Sequence, residues 1–188
     1  MRLKDKVVLV TGSTTGIGAG MARRFVAEGA RVIVHGRNAE RGHELCQELG
    51  DENTAFCQGD LGEAGYPERL AKDALAAFGR IDGLVNNAGL VTRCTFADTD
   101  AAFFDRIMAV NARAPMLLIR ALLPALKESQ GSVLNIGSIL AWCGVDKLLA
   151  YSMSQGRDDD DDSQPCRFSW ITPGAGQPTQ RRLDAYGE

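Results

Sequence analysis

The chain has 188 residues, of which 45% are hydrophobic and 24% charged, and its formal net charge is -3. This length and balance fit one globular domain. A net charge this small excludes a broad electrostatic attraction to nucleic acid or to an anionic membrane. The apolar run at the amino terminus, 7–10, is too short for a secretory signal or a membrane span, so we expect a cytoplasmic location. The cysteines form no CxxC pair, so no metal site or disulfide framework is expected.

Apolar, β-branched runs alternate with amphipathic stretches along the first four fifths of the chain. The predicted strands are 7–10, 31–35, 54–58, 81–85 and 132–136, and the predicted helices are 19–28, 38–49, 67–78 and 101–126, with another opening at Tyr151. This alternation predicts right-handed βαβ crossovers and an α/β fold with a doubly wound parallel sheet of order 3-2-1-4-5. Pro115 lies inside the longest predicted helix and needs an explanation, because an interior proline kinks or splits a helix.

The composition changes abruptly at Gln155. Five consecutive aspartates, 158–162, follow, and then a tail rich in Pro, Gly, Gln and Arg. Adjacent like charges repel each other and the stretch has little apolar surface to bury, so we predict a folded domain over 1–154 and a divergent, disordered tail over 155–188. The alternative to a disordered tail is that the five aspartates bind a metal ion, and we disfavour it because consecutive residues rarely converge on one ion.

A glycine-rich loop, TGSTTGIG at 11–18, lies between the first predicted strand and the first helix. Glycines there allow a tight turn and a close approach of the backbone to a pyrophosphate, which the helix amino terminus then attracts. The loop has three residues between its first two glycines, so it differs from G-x-G-x-x-G. It also lacks the Lys-Ser/Thr pair of a P-loop, which argues against nucleotide hydrolysis.

Further polar residues fall where a doubly wound sheet would gather them. Asp60 and Leu61 end the third strand, NNAG at 86–89 ends the fourth, and Ser138 ends the fifth. Asn111 lies within the long helix, and Tyr151 follows Ser138 by 13 residues. Each residue alone is more often a cap or a turn residue than a catalytic one. Ligands bind outside the carboxyl ends of the strands in such sheets, so their joint placement favours a functional site.

These motifs, in this order and spacing, resemble the short-chain dehydrogenase/reductase family over about residues 3–154. The resemblance implies a Rossmann fold that binds NAD or NADP, and hydride transfer between the nicotinamide and a carbonyl or secondary-alcohol substrate, with no nucleic-acid or membrane partner. It implies that Tyr151 is the acid/base and that Ser138 holds the substrate oxygen. Asn111 would organise a water-linked proton relay.

The same resemblance implies a set of cofactor-binding residues. Asp60 would lie near the adenine, and the loop after the fourth strand would pack against the cofactor. The implied residues are Gly12, Ser13, Thr14, Gly16, Ile17, Gly18, Asp60, Leu61, Asn87, Ala88 and Gly89. The second strand ends without the acidic residue that NAD-binding enzymes use, and Arg37 is placed to meet a 2′-phosphate, so NADP is favoured over NAD. Alternatively, Arg37 is a solvated residue before the Asn38 helix cap.

The chain departs from the family at Gln155. Family members carry a lysine four residues after the tyrosine, where the cation lowers the tyrosine pKa and holds the nicotinamide ribose. Glutamine can donate a hydrogen bond but carries no charge, so the catalytic tetrad is incomplete. The alternative function is therefore an inactive or poorly folded remnant that keeps only the cofactor-binding half.

The resemblance also ends at Gln155, and family members are longer than this chain. A one-base shift in the reading frame would restore the lysine and an amphipathic helix after it, so we hypothesise a truncated, frameshifted chain after Ser154. The sheet would then lack the family's C-terminal strands, the edge strand 132–136 would be uncovered, and the family homo-oligomer would be in doubt. The alternative is a natural tail with a glutamine substitution.

Overall fold

The computed structural model describes residues 1–143 and 145–155, together with the backbone of 168–171. Apart from that short backbone stretch and Gln155 itself, the predicted tail lies outside the described residues.

Strands and helices alternate as the sequence predicts, with boundaries that differ by a few residues. The strands are β1 (Val7–Val10), β2 (Arg31–Gly36), β3 (Thr54–Gln58), β4 (Gly83–Asn86), β5 (Ser132–Ile136) and β6 (Phe168–Ile171). The helices are α1 (Gly16–Ala27), α2 (Ala39–Leu49), α3 (Tyr66–Phe78), α4 (Ala101–Met108), α5 (Ala114–Glu128) and α6 (Leu149–Ser154). Asn38 caps α2, since its side chain accepts a hydrogen bond from the Arg41 N–H at 2.9 Å.

Five parallel strands form the sheet in the order β3-β2-β1-β4-β5, which confirms the predicted doubly wound topology. A sixth strand, β6, pairs antiparallel with β5, so that Val133 lies opposite Ile171. The expectation of an uncovered edge at 132–136 is therefore wrong. The backbone N–H and C=O groups of an edge strand are open to any segment that can pair with them, and this chain supplies one itself.

The sheet is covered on both faces, which explains the continuous apolar runs in its central strands. Every residue of β1 is buried. One face packs on α3 and α5, and its core is a cluster that includes Leu9, Leu70, Leu84 and Leu118. The other face packs mainly on α1 and α2. Because parallel strands begin at one edge and end at the other, the loops that carry the polar motifs all lie at the carboxyl edge.

The long predicted helix is interrupted between α4 and α5 by a π-helical segment, Ala109–Arg113. Pro115 thereby falls at the beginning of α5, in its first two positions, where a missing backbone N–H is tolerated. Pro115 thus lies just after a π-helical segment, whereas Pro124 lies inside α5. Single π-helical turns are rare and often mark functional sites, and this one contains Asn111.

Within the described residues, one helical stretch, Ala101–Glu128, is long and apolar enough to cross a membrane by length and composition alone. Its α5 part has the pattern of a core helix. The residues Ala114, Leu118, Leu122 and Leu126 follow one another at four-residue spacing, and all are fully buried against the sheet and α3.

Candidate active site

The glycine loop, 11–18, is held in a shape that side chains would disrupt. Gly12 has a φ of +63°, and a Cβ added to it would lie 2.8 Å from the Cα of Ala88. A Cβ on Gly18 would lie 2.5 Å from both the Asn87 Nδ2 and the Gly12 carbonyl oxygen. Both contacts are shorter than real side chains allow. Glycines at these two positions therefore let the backbone pass close to the loop that follows β4.

Hydrogen bonds fasten the glycine loop to the loop after β4. The Thr11 hydroxyl accepts from the backbone N–H groups of Asn87 and Ala88, each at 3.0 Å. The Asn87 Nδ2 donates to the carbonyl oxygens of Thr11 at 2.9 Å and Gly12 at 3.1 Å. Asn87 thus holds the framework of the site with its side chain, while Ala88 and Gly89 bring the backbone to the cavity.

His35 supports the glycine loop from β2. Its Nδ1 accepts a hydrogen bond from the Gly12 N–H at 3.2 Å, and its backbone N–H donates to the Ser13 hydroxyl at 3.0 Å. The Ser13 hydroxyl in turn donates to the Val10 carbonyl at 2.7 Å. Burial lowers the pKa of His35 to about 4, against smaller opposing effects of the Gly59 backbone and the Asp60 carboxylate. The imidazole is therefore neutral at pH 7, and its Nδ1 can accept.

A cavity of about 270 Å³, here called the loop cavity, opens beside the glycine loop. Asp60 lies in its wall between two arginines. The Asp60 Oδ2 accepts a hydrogen bond from Arg106 and lies 3.9 Å from Arg37 Nη1, while its Oδ1 accepts from the Gly62 N–H at 2.8 Å. Burial alone would raise the pKa of Asp60, but the hydrogen bonds from Arg106 and Gly62 outweigh it and hold the pKa below its usual value.

A second and larger cavity of about 630 Å³, here called the tyrosine cavity, lies on the other side of the loop after β4. Ser138, Tyr151 and Asn111 all line it. The two cavities share the wall formed by 87–89. The carboxyl edge of the sheet therefore carries adjoining hollows that reach from the glycine loop to the predicted catalytic residues.

Asn111 connects three parts of the tyrosine cavity. Its Oδ1 accepts from the Leu90 N–H at 2.7 Å, and its Nδ2 donates to the Leu90 carbonyl at 3.1 Å and to the Ser154 hydroxyl at 2.9 Å. The Ser154 hydroxyl also donates to the Tyr151 carbonyl at 2.7 Å. The π-helical segment, the loop after β4 and α6 are thus joined through one amide and one hydroxyl.

The remaining catalytic candidates lie at element ends. The Ser138 hydroxyl accepts from the Leu140 N–H at 3.2 Å, so it caps the short 3-10 turn Ile139–Ala141. Tyr151 lies on the half-buried side of α6, which begins two residues before it. The Gln155 amide lines the tyrosine cavity, and its Nε2 is 3.5 Å from the Ser154 hydroxyl. A polar but uncharged group thus occupies the end of α6.

The structure places most of the predicted cofactor residues around the loop cavity. These residues are Gly12, Thr14, Arg37, Asp60, Leu61, Asn87, Ala88 and Gly89. Ile17 lines the tyrosine cavity, and Gly16 is an exposed residue at the start of α1 with a φ of +56°. Ser13 and Gly18 are buried in the framework instead.

Sequence reasoning missed three polar residues of this region: His35, Arg106 and Ser154. His35 gave a usable signal, because a histidine in an otherwise apolar buried strand needs a partner. Arg106 and Ser154 gave little signal in the sequence, because arginines are frequent on helix surfaces and serines are frequent at helix ends.

The profile of the short chain dehydrogenase family matches residues 6–156. The chain belongs to this family. It is 36% identical over 159 residues to an uncharacterized oxidoreductase of Thermotoga maritima, covering 82% of this chain and 62% of that protein. It is 35% identical over 156 residues to the L-fucose dehydrogenase of Mus musculus, covering 82% of this chain and 56% of the enzyme. The chain thus spans about half to three fifths of the length of these curated relatives.

Solved structures agree with this membership. A metagenomic short-chain oxidoreductase crystallised in complex with NADP superimposes with a TM-score of 0.77 at 34% identity, over 82% of this chain and 72% of that one. A short-chain dehydrogenase from Streptomyces avermitilis gives a TM-score of 0.76 at 33% identity, over 82% and 57% of the two chains. The predicted family and the Rossmann architecture are therefore confirmed, and with them an oxidoreductase ancestry that uses a nicotinamide cofactor.

Proposed function

We propose that this dehydrogenase-family chain binds NADP and catalyses hydride transfer between its nicotinamide and a carbonyl or secondary-alcohol substrate. The observation that carries the proposal is the pair of adjoining cavities. One lies beside the glycine loop, and the other is lined by Ser138 and Tyr151, with 87–89 as the shared wall. A dinucleotide has two ends, and these two hollows at the carboxyl edge of a doubly wound sheet suit a ligand of that shape.

The residues present fit such a cofactor. The first turn of α1 carries no acidic side chain, and Thr15 makes no side-chain capping hydrogen bond to it, so its N–H groups are available to a pyrophosphate. Gly12, with no room for a Cβ, lets the backbone approach the phosphates. Asp60 would lie near the adenine. Arg37, which is 68% exposed, would meet the 2′-phosphate and so favour NADP over NAD.

This chain's own groups would manage the proton and the substrate orientation. Bound cofactor supplies or accepts the hydride. Tyr151 would give a proton to the substrate oxygen, or take one from it, and Ser138 would hold that oxygen by a hydrogen bond. Asn111 would tie the relay to the framework, since its amide already joins Leu90 and Ser154. The apolar wall contributed by Ile17, Val91 and Met116 suits a carbonyl compound with an apolar part.

A second candidate function is cofactor binding without turnover, and Gln155 favours it. An amide replaces the family's cation beside the tyrosine, and its Nε2 lies 3.5 Å from the Ser154 hydroxyl. Without that positive charge, nothing at position 155 stabilises a phenolate electrostatically. The loop cavity does not depend on Gln155, so binding and catalysis can separate.

Two measurements on purified protein distinguish these candidates. Titration with NADPH, followed by nicotinamide fluorescence, tests binding, and turnover with a panel of ketones and secondary alcohols tests catalysis. The proposal predicts turnover that Tyr151→Phe abolishes while NADPH still binds. Gln155→Lys should raise kcat by about tenfold or more, since acid/base groups supply about 10²–10⁴-fold. NADPH binding without turnover in either the parent or Gln155→Lys favours the second candidate, and absence of NADPH binding refutes both.

We also propose a cytoplasmic location. The described cysteines, Cys46, Cys57, Cys94 and Cys143, are all free thiols, as is usual in a reducing compartment. Fractionation of cells that express the protein with a carboxyl-terminal tag tests this location.

A further inference from the structure

Arg106 reaches into the loop cavity from α4. Its guanidinium donates a hydrogen bond to the Asp60 Oδ2, and it lines the same cavity as Arg37. A Cβ on Gly62 would overlap the Arg106 guanidinium, so the arginine packs directly against the backbone after β3. Its side chain is 39% exposed, which leaves the charge accessible but its position defined. Arg106 is therefore a cation fixed beside Asp60 in the wall of the loop cavity.

The carboxylate between the two arginines poses an electrostatic problem for an anionic ligand. Asp60 Oδ2 lies 3.9 Å from Arg37 Nη1. A phosphate bound by Arg37 would lie within a few ångströms of this carboxylate, and like charges at that distance repel each other appreciably near a protein surface. If Arg37 were the only cation beside Asp60, the carboxylate and the phosphate would compete for its guanidinium.

We propose that Arg106 is a specificity-determining residue that pairs with Asp60 and thereby releases Arg37 to bind an adenosine 2′-phosphate. The inference rests on the proposed binding of NADP. Two features of the geometry support it. The Arg106 contact with Asp60 is a direct hydrogen bond, whereas the Arg37 contact is a looser ion pair. Arg37 is also the more exposed of the two arginines, at 68% against 39%, so it is the one free to turn towards a ligand.

The test compares two nucleotides that differ only in the 2′-phosphate. Calorimetric titration of the full chain with adenosine 2′,5′-bisphosphate and with 5′-AMP isolates the 2′-phosphate without any need for catalysis. In Arg106→Gln, we expect the affinity for the bisphosphate to fall by about tenfold, which is about 1.4 kcal/mol, and the affinity for 5′-AMP to change by less than about threefold. Arg106→Lys, which keeps a cation, should retain most of the preference.

Arg113→Gln is the matched control. Arg113 lies on the neighbouring π-helical segment and donates to the Gly62 carbonyl at 3.1 Å, but it is exposed and makes no ion pair with Asp60. Its removal changes the net charge by the same amount and should leave the ratio of the two affinities unchanged. The double variant Asp60→Asn/Arg106→Gln should recover the preference for the bisphosphate, because no carboxylate is left to neutralise.

The outcomes separate this inference from the function on which it rests. A parent protein that binds neither nucleotide, or that binds 5′-AMP at least as well as the bisphosphate, refutes NADP binding and the inference together. Suppose that the parent protein prefers the bisphosphate. The inference alone is then refuted if Arg106→Gln keeps that preference, or if Arg106→Gln weakens the binding of both nucleotides equally. Thermal unfolding of each variant identifies any that fails to fold, and Arg106→Lys then decides the question.

Discussion

Mild acid should destabilise this protein through His35. Burial lowers the pKa of the folded-state imidazole to about 4, whereas an unfolded histidine titrates near 6.5. Between these values the unfolded chain binds more protons than the folded one. The stabilisation is therefore fully present above about pH 6.5 and is lost as the pH falls towards 4. Proton linkage gives a loss of about 2 kcal/mol between pH 7 and pH 5 from this one residue.

The hydrogen bonds explain why this residue also matters to the site. The imidazole Nδ1 accepts the Gly12 N–H at 3.2 Å, and an imidazolium, which carries hydrogen on both nitrogens, cannot. His35 is 2% exposed, and the centroid of its ring lies 5.7 Å from that of the Tyr66 ring. The carboxylate of Asp60 favours protonation, but less than burial opposes it. Protonation should therefore loosen the glycine loop and weaken NADPH binding as well as the fold.

Urea unfolding of three proteins at pH 7, 6 and 5 isolates the effect. His35→Asn keeps an acceptor oxygen close to the place of Nδ1, but the asparagine side chain does not titrate. Between pH 7 and pH 5 the free energy of unfolding of this variant should therefore fall by about 2 kcal/mol less than that of the parent. His43→Asn removes the chain's other histidine, which is exposed, and serves as the matched control for the removal of one histidine. Equal losses in the parent and His35→Asn would refute the reasoning, whatever their absolute stabilities.

Three further substitutions test other parts of the structure. Gly12→Ala should weaken NADPH binding by at least about tenfold and lower the Tm, because Gly12 has a φ of +63° and the new Cβ would meet Ala88. An unchanged fluorescence titration with NADPH would contradict this expectation. Asp82→Asn should lower the free energy of unfolding, measured in urea at pH 7, by about 1–3 kcal/mol, because the Asp82 carboxylate is 5% exposed and pairs with Lys6 and Arg80. A difference between parent and variant that did not shrink in acid would contradict this explanation. Ser154→Ala should lower kcat through the loss of its 2.9 Å bond to Asn111, with NADPH affinity retained; a parallel loss of affinity would show a role in folding instead.

The sheet order and the glycine loop could be predicted from the sequence because local patterns specify them. Val7–Val10 is a continuous β-branched and aliphatic run, and every residue of it is buried. A glycine with a positive φ follows each of the first three helices, at Gly29, Gly50 and Gly79. Right-handed crossovers then leave few strand orders to choose from. The carboxyl edge, and with it Asp60 and the loop after β4, follows from that order.

Features that depend on tertiary contacts could not be predicted in this way. Pro115 signals a disturbance in the long helix, but a kink, a break and a π-helical segment are all compatible with the sequence, and the structure has the π-helical segment. The pairing of β6 with β5 joins residues more than thirty positions apart, and no local pattern encodes it. Arg106 meets Asp60 across 46 positions, and only the fold brings the two together.

The two ends of the site are held by separate hydrogen-bond networks. Thr11, Asn87 and His35 fix the glycine loop, whereas Asn111 and Ser154 fix the tyrosine cavity. Among the described residues, the two networks come together at the short loop after β4. Asn87 and Ala88 contact the glycine loop, and Leu90, two positions beyond Ala88, is held by Asn111. A change at position 155 therefore acts on the second network and leaves the first intact. For this reason the choice between an enzyme and a cofactor-binding chain depends on the chemistry beside Tyr151, while both candidate functions require the same glycine loop.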